Sequence, residues 1–256
     1  MPRLLLLAGV GLVAFLLGLV ARLPADRAVA WFAPENVELQ GVRGTAWSGR
    51  AAHLDYGGPV PVTALDWDLA AWRLVTGTTV ADVELEWAGL TGRGTLARGL
   101  GGDLRVRDAL VRGPVAGVAR AFGGLGLQLE GDLLGRIEDA ALVDGRIERL
   151  AGRAEWSDAA ITAPLALELG RVRVAVEAAE GRPGQRVTIS SAGGALAIDG
   201  TVDLRPDGRY RADLRLRPAA DAPGGLRDTL GMIARRDGDA FRLRRSGRLP
   251  APGGGR

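Results

Sequence analysis

The chain has 256 residues and a formal net charge of only +3. It contains no cysteine, which excludes disulfides, thiol catalysis and cysteine-ligated metals. Its isoelectric point, about 10.3, is high because every basic side chain except one histidine is arginine, so little titrates near neutrality. The isoelectric point therefore does not indicate nucleic-acid binding, and we expect none.

The first predicted element is a membrane-spanning helix. Every residue from Leu4 to Ala21 is apolar or glycine, and such a helix is roughly 27 Å long, close to the thickness of the hydrocarbon core. A cleaved signal peptide is the alternative, but its apolar region is usually shorter and ends in a small-x-small site. Both candidate cleavage positions, after Ala21 and after Ala25, have leucine two residues earlier. The sequence therefore predicts an uncleaved signal anchor over residues 1–25.

The rest of the chain is predicted to lie across the membrane from its short leader. Arg3 before the anchor is balanced by Arg22 and Arg27 after it, so the positive-inside bias is weak. The orientation rests instead on the brevity of the leader, and no second long apolar segment follows. We expect a single-pass protein with residues 26–249 as an exported β-rich domain and residues 250–256 as a disordered tail.

Beyond the anchor, the apolar residues recur with a period of two. Apolar and charged side chains alternate in five segments: Val83–Trp87, Asp103–Arg107, Arg171–Glu177, Val202–Leu204 and Arg209–Arg217. This alternation is typical of antiparallel strands with one buried and one solvated face, and Gly-rich turns separate the strands. The predicted fold is mainly β: a curved antiparallel sheet, a sandwich or a partly closed barrel, with one or two short helices.

Three segments interrupt the alternation and are predicted to be short helices: Asp66–Val75, Pro114–Phe122 and Asp221–Arg236. The last is the clearest, because Leu226, Leu230 and Ile233 share one helical face. Asp221 is predicted to cap its start, and Arg235-Arg236 to lie favourably at its C-terminal dipole.

One internal similarity suggests two related halves. The sequence A-W-S-G-R-A at residues 46–51 resembles E-W-S-D-A-A at residues 155–160. The halves would then be residues 37–112 and 127–217. Coincidence is the alternative, because W-S-x-x-A is a short pattern, and the sequence leaves both interpretations open.

The residues that perform chemistry in other proteins form no recognisable site here. His53 is the only imidazole, with Asp55 on the same side of its predicted strand, but neither further ligands nor a nucleophile elbow accompany the pair. Carboxylate pairs are frequent: Asp66/Asp68, Glu84/Glu86 and Glu138/Asp139. All of them suit the solvated face of a strand or a turn. We therefore predict a protein that is not an enzyme, with no catalytic residue, metal site or cofactor.

Tryptophan and arginine give two further expectations. Trp31 follows the anchor closely enough to lie at the membrane interface. Four later tryptophans are predicted in strands and in the core: Trp47, Trp67, Trp87 and Trp156. An apolar groove for a lipid tail or a peptide is their alternative role. The arginines between Arg235 and Arg248 predict a solvated strand face, with an acidic partner or anionic headgroups as the alternative.

Six short motifs occur in order from the end of the anchor onward. They are L-P-A at Leu23–Ala25, the Gly/Trp-rich segments Val37–Ala51, Leu65–Gly77 and Gly152–Ala159, the Gly-Gly strand after Ser190-Ser191, and Asp237–Leu249. Each motif alone is weak, but together they cover nearly the whole chain. The ordered set resembles the protein N family of the bacterial type II secretion system.

This resemblance implies an accessory component in the cell inner membrane, with its domain in the periplasm. It would support the export of folded proteins through contacts with other secretion-system components, and the family has no catalytic residues to carry over. The layout of an anchor before a long β domain also resembles the AsmA-like envelope proteins, which implies lipid binding along an apolar groove as the alternative function. The sequence leaves the oligomeric state open.

Overall fold

The computed structural model shows a large β-sheet with a few short helices. It describes residues 22–32, 37–55, 60–70, 78–99, 102–121, 128–143, 146–163, 166–179 and 183–248. Residues 1–21 of the predicted anchor and the predicted tail 250–256 lie outside these ranges. Within the ranges, no helix is both long and apolar enough to cross a membrane.

Sixteen strands are described. The first eight are β1 (Glu38–Gln40), β2 (Arg43–Gly44), β3 (Ser48–Ala51), β4 (His53–Asp55), β5 (Val62–Leu69), β6 (Thr78–Trp87), β7 (Leu90–Gly99) and β8 (Leu104–Pro114). The next eight are β9 (Gln128–Val143), β10 (Arg146–Ala163), β11 (Leu167–Ala178), β12 (Gln185–Ala192), β13 (Leu196–Leu204), β14 (Arg209–Pro218), β15 (Arg235–Asp237) and β16 (Ala240–Arg248). The helices are α1 (Ala25–Phe32), α2 (Ala116–Ala121) and α3 (Leu226–Ile233). The prediction of a mainly β protein with short helices is confirmed.

The strands form one open antiparallel sheet in which most neighbours in sequence are neighbours in space. From β4 to β14 each strand pairs with the next, β16 follows β14, and β15 lies beyond β16. At the opposite end β1 pairs with β4, and a short β2–β3 hairpin joins β5. Among the described residues no pairing joins the two ends. Of the predicted alternatives, an antiparallel sheet, a sandwich or a partly closed barrel, the described residues form a single open antiparallel sheet.

Two strands contain a bulge at an aspartate in the left-handed conformation. Asp108 in β8 and Asp158 in β10 both have a φ of 49°. The pairing between β7 and β8 shifts at Asp108, so one residue of β7 faces two residues of β8. Each aspartate precedes a buried alanine, Ala109 or Ala159. Because the bulge adds one residue, the apolar side chains after it lie on the same face of the sheet as those before it.

A cluster of buried apolar residues lies at the C-terminal end of the sheet, where α3 covers one face. Leu226 and Leu230 of α3 are 3% and 4% exposed and belong to the same buried cluster as Leu216 and Phe241 of the sheet. The remaining buried members of this cluster are Ala159, Leu167, Leu169, Val172 and Leu196. Burying each leucine of α3 contributes on the order of 1.5–3 kcal/mol. The helix is therefore held by packing on the sheet.

Helix α3 begins later than predicted. It starts after Gly225, whose φ of 85° is left-handed and which makes no side-chain capping bond, so Asp221 is not the cap. A left-handed residue cannot continue a right-handed helix, and two consecutive glycines, Gly224 and Gly225, carry a high entropic cost in a helix. The segment before Leu226 is therefore turn rather than helix.

Helix α3 also ends earlier than predicted. Ala234 is extended, and Arg235 pairs with Arg242 in the sheet instead of forming a last helical turn. Ile233, predicted on the buried helical face, is 55% exposed. Strand pairing of the arginines therefore replaced the helix-dipole interaction that the sequence predicted.

The other two helix predictions had different outcomes. The prediction for Asp66–Val75 is wrong in its first part, since residues 66–69 belong to β5 with alternating burial. Residues 71–75 lie outside the described ranges. The helix predicted at Pro114–Phe122 is confirmed by α2, but it begins later than predicted, because Pro114 is the last residue of β8 and Val115 is a turn residue. Phe122 lies outside the described ranges.

Trp47 and Trp156, the centres of the internal similarity, lie in different local structures. Trp47 is in the bend between β2 and β3, so its prediction as a strand residue is wrong, whereas Trp156 lies within β10. The similarity in sequence therefore does not correspond to one shared local conformation. The organisation into halves 37–112 and 127–217 stays a prediction.

Candidate interaction surfaces

One row of directly opposed residues crosses twelve strands and contains only apolar residues and glycine. The members of this row, the apolar ladder, are Ala51, Leu65, Leu85, Gly92, Val111, Gly135, Ala154, Val174, Ile189, Gly200, Leu214 and Leu243. Every member is buried or half-buried. Directly opposed residues lie on the same face of a sheet. The ladder therefore marks a continuous apolar face from β3 to β16.

The neighbouring row faces the other way and is mostly charged. Its members, the charged ladder, are Arg50, Asp66, Glu84, Arg93, Leu110, Arg136, Arg153, Ala175, Thr188, Thr201, Asp213 and Arg244. Each member is adjacent in sequence to a member of the apolar ladder, and successive residues of a strand point to opposite faces. The predicted alternation of one buried and one solvated face is confirmed across the sheet.

Ion pairs bridge neighbouring strands on the charged face. Arg153 contacts Glu138 at 2.7 Å, and Glu155 contacts both Arg171, at 3.2 Å, and Arg173, at 3.0 Å. All of these side chains are solvent-exposed by more than a third. Exposed pairs contribute about 0–1 kcal/mol each, so they favour the observed strand register more than they stabilise the fold.

Asp213 is the most strongly paired carboxylate on this face. Its two oxygens accept hydrogen bonds from Nε and Nη2 of Arg242, both at 2.8 Å, and Nε of Arg244 approaches at 3.2 Å. The hydrogen bonds from Arg242, together with attraction to both arginines, hold the pKa of the Asp213 carboxyl below its ordinary value despite some desolvation. The carboxylate joins β14 to β16 near the C-terminal edge of the sheet.

A cleft of about 780 Å³ lies on the charged face near the N-terminal end of the sheet, and it contains the predicted pair Asp66/Asp68. Three of its carboxylates have partners: Asp66 contacts Arg50 at 3.3 Å, Asp82 accepts a hydrogen bond from Thr95 at 2.7 Å, and Asp108 contacts Arg136 at 3.6 Å. Within the described ranges, no group of three or more histidine and acidic side chains is placed to hold a metal ion. Asp66 and Asp68 are exposed on the solvated strand face that the sequence predicted for them.

A second cleft, about 760 Å³, lies at the centre of the charged face and has an apolar floor. Leu134 is 58% exposed there, and Leu110 lies beside it. Arg136, Arg153 and Arg173 line the same cleft. An exposed leucine among arginines is a composition common at protein–protein contacts, where apolar contact is combined with a charged surround.

Three tryptophans combine packing with a satisfied polar group. Each is half-buried and donates its indole N–H to a backbone carbonyl: Trp67 to Ala46 at 3.3 Å, Trp87 to Val60 at 3.0 Å, and Trp156 to Glu130 at 2.8 Å. These bonds tie each tryptophan to a neighbouring strand or loop. The predicted structural role of Trp67, Trp87 and Trp156 is supported, although they are not fully buried.

His53 is placed at the margin of the sheet. It is exposed in β4, and its Nδ1 lies 3.2 Å from the carbonyl oxygen of Ala52. Asp55 is exposed on the same side of this strand, as predicted.

Comparison with known proteins identifies a single family. The profile described as "Type II secretion system (T2SS), protein N" matches residues 35–244. The chain is 28% identical to type II secretion system protein N of Aeromonas hydrophila over 257 residues, which cover 97% of this chain and 100% of that protein. It is also 28% identical to the protein of the same name from Vibrio cholerae serotype O1, over 86% of this chain and 88% of that protein. No solved structure matches.

Proposed function

Because the chain belongs to the type II secretion system protein N family, we propose that it is a non-catalytic accessory component of that system. In this proposal residues 1–25 hold it in the inner membrane, and the domain 26–249 lies in the periplasm. It supports the export of folded proteins through contacts with other components of the secretion system. The observation that carries the proposal is a family match extending from before β1 into β16, over nearly the whole sheet.

The architecture supports a role in contacts. An open sheet exposes a broad charged face and two ends, whereas an enzyme site usually lies in a concave pocket with convergent polar groups. The exposed Leu134 and the arginines beside it provide one surface of the kind found at protein interfaces.

The start of the domain is bonded directly to the sheet. The N–H of Ala46 donates a hydrogen bond to the carbonyl of Leu23 at 2.8 Å, and Pro24 forms a bridge with Thr45. Ala25, the first residue of α1, is buried. An anchor ending near residue 25 would therefore join the N-terminal end of the sheet with no flexible linker between them.

Secretion by living cells tests the proposed function. In a host that exports an enzyme through its type II secretion system, deletion of this gene should move the enzyme from the medium to the periplasm. Expression of the full chain should restore export. Undiminished export without the gene would contradict the proposal.

Membrane fractionation tests the proposed location. The full chain should stay with the inner membrane during alkaline carbonate extraction, and protease added to spheroplasts should degrade the domain. A chain whose residues 1–25 are replaced by a cleavable signal peptide should be released as a soluble periplasmic protein. Release of the unmodified chain would contradict the anchor.

A second candidate function, lipid handling, is favoured by the apolar ladder. In the N-terminal part of the sheet Leu65, Leu85 and Val111 are half-buried, and the packed cluster beneath α3 lies at the other end. A continuous apolar face of this kind suits an acyl chain.

Photocrosslinking in cells separates this candidate from the first. A photoreactive amino acid at position 85, in the apolar ladder, should capture phospholipid if the face holds lipid. The same group at position 84, on the charged face, is the matched control and should not. Equal lipid capture at both positions, or none at either, would exclude the second candidate.

A further inference from the structure

The last long strand of the sheet has an edge without a pairing strand. β15 pairs with β16 only where Arg235–Asp237 oppose Ala240–Arg242. β16 continues to Arg248, paired with β14 on its other side throughout. In the part of the chain that the structure describes, no strand pairs with the outer side of Leu243–Arg248.

The hairpin between β15 and β16 shows which backbone groups face this edge. Gly238-Asp239 is a two-residue turn, and the residues that flank such a turn, Asp237 and Ala240, exchange backbone hydrogen bonds. The backbone groups of alternate residues point to opposite sides of a strand. The residues of β16 whose N–H and C=O groups face outward are therefore Arg244, Ser246 and Arg248.

The side chains around the edge are strongly basic. The arginines of β15 and β16 are Arg235, Arg236, Arg242, Arg244, Arg245 and Arg248, all exposed. Opposite them on β14, Asp213 already accepts hydrogen bonds from two arginines. Pairing two copies of this edge would place arginine near arginine, which destabilises a strand pair. The charge favours an acidic occupant instead.

An exposed apolar surface lies beside the same edge. Met232 is 79% exposed and Ile233 is 55% exposed at the C-terminal end of α3. Both immediately precede β15, so a strand continuing the line of β15 along β16 would start next to them. Because α3 packs on the apolar face, this end of the helix lies on the side of the sheet opposite to the Arg244 side chain.

We propose that the outer edge of Leu243–Arg248 binds an extended segment of another protein in which acidic and apolar side chains alternate. The segment adds a strand to the sheet through backbone hydrogen bonds. Its carboxylates face Arg244 and Arg248, and its apolar side chains contact Met232 and Ile233. This proposal rests on the proposed function as a contact-making subunit and specifies the chemistry of one partner.

Peptide binding tests this proposal without any secretion apparatus, so its failure is distinguishable from a failure of the proposed function. The probe is a fluorescein-labelled peptide of about ten alternating Glu and Val residues, a usual strand length. Binding to the purified full chain is measured by fluorescence anisotropy. The affinity should fall with salt, and a matched Lys/Val peptide should bind at least about tenfold more weakly. No binding of the Glu/Val peptide, or equal binding of both, would overturn the proposal.

A pair of variants at one position locates the peptide. Ser246→Pro removes an outward N–H but leaves the pairing with β14, and should weaken Glu/Val binding about tenfold or more. Ser246→Ala retains the N–H and should bind like the unmodified chain. Circular dichroism of both variants checks that the sheet is intact. Equal affinity of the two variants would overturn the proposal, and so would an unfolded Ser246→Pro, because it would show that this N–H bonds to β14.

The C-terminal residues provide the last arm of the test. A chain ending at Arg248 should bind the peptide as tightly as the full chain. Tighter binding after truncation would assign the edge to residues 249–256 of the same chain and overturn the proposal.

Discussion

Glycine at position 94 is required by the bulge that faces it. A Cβ atom at Gly94 would lie 2.6 Å from the Cβ of Ala109 and 2.8 Å from its Cα. The bulge at Asp108 brings this neighbouring backbone close, so the contact cannot be relieved by a side-chain rotation.

Gly94→Ala should therefore lower the free energy of unfolding by about 1–3 kcal/mol, the usual cost of overpacking. Urea unfolding followed by circular dichroism measures the change. Gly99, on the same strand β7, provides the control, because a Cβ atom added there would have no atom within 4 Å. Gly99→Ala should leave the stability nearly unchanged, and equal effects of the two substitutions would contradict the close approach.

The ion pairs of Asp213 predict a specific pH dependence of the stability of the fold. Since its folded-state pKa is lowered by Arg242 and Arg244, the ionised carboxylate stabilises the fold above the ordinary carboxyl pKa of about 4. This stabilisation is lost as the pH falls through the lowered folded-state pKa. At pH 7 the unmodified chain should have a higher melting temperature than the Asp213→Asn variant, and this difference should shrink below a pH of about 4. A difference in melting temperature that persists undiminished in acid would contradict the ion pairs as its cause.

At the scale of secondary-structure elements, α3 is held by two leucines. Leu230→Ala removes a buried side chain and should cost about 2–5 kcal/mol of unfolding free energy. Met232→Ala, in the same helix but at an exposed position, should change it by less than about 0.5 kcal/mol. Urea unfolding of both variants measures the contrast, and similar destabilisation would mean that α3 does not pack as described.

The strands were predictable because their period of two requires only alternation within each segment. The bulges were detectable as well, since the apolar alternation changes phase at Asp108 in L-R-V-R-D-A-L-V and again at Asp158. The ends of α3 were not predictable from local sequence. Arg235 suits a helix terminus as well as a strand, and its pairing with Arg242 decides between them.

At the scale of the whole molecule, the sequence predicted two faces but not their continuity. Whether twelve strands align their apolar residues into one ladder depends on register, which bulges and hairpins determine. The free edge of β16 likewise depends on where its neighbour begins, and β15 begins only at Arg235 because α3 extends to Ile233. The candidate surfaces therefore arise from tertiary structure, whereas the family resemblance came from ordered short motifs.

The proposed role of this open sheet, as a component of the type II secretion system, requires physical association with the rest of that system. Affinity purification of the full chain, tagged at its chromosomal locus, from crosslinked cells that are secreting through this system measures that association. Other components of the type II secretion system should be enriched over an untagged strain. Efficient recovery of the chain with no secretion component enriched would contradict the proposed role.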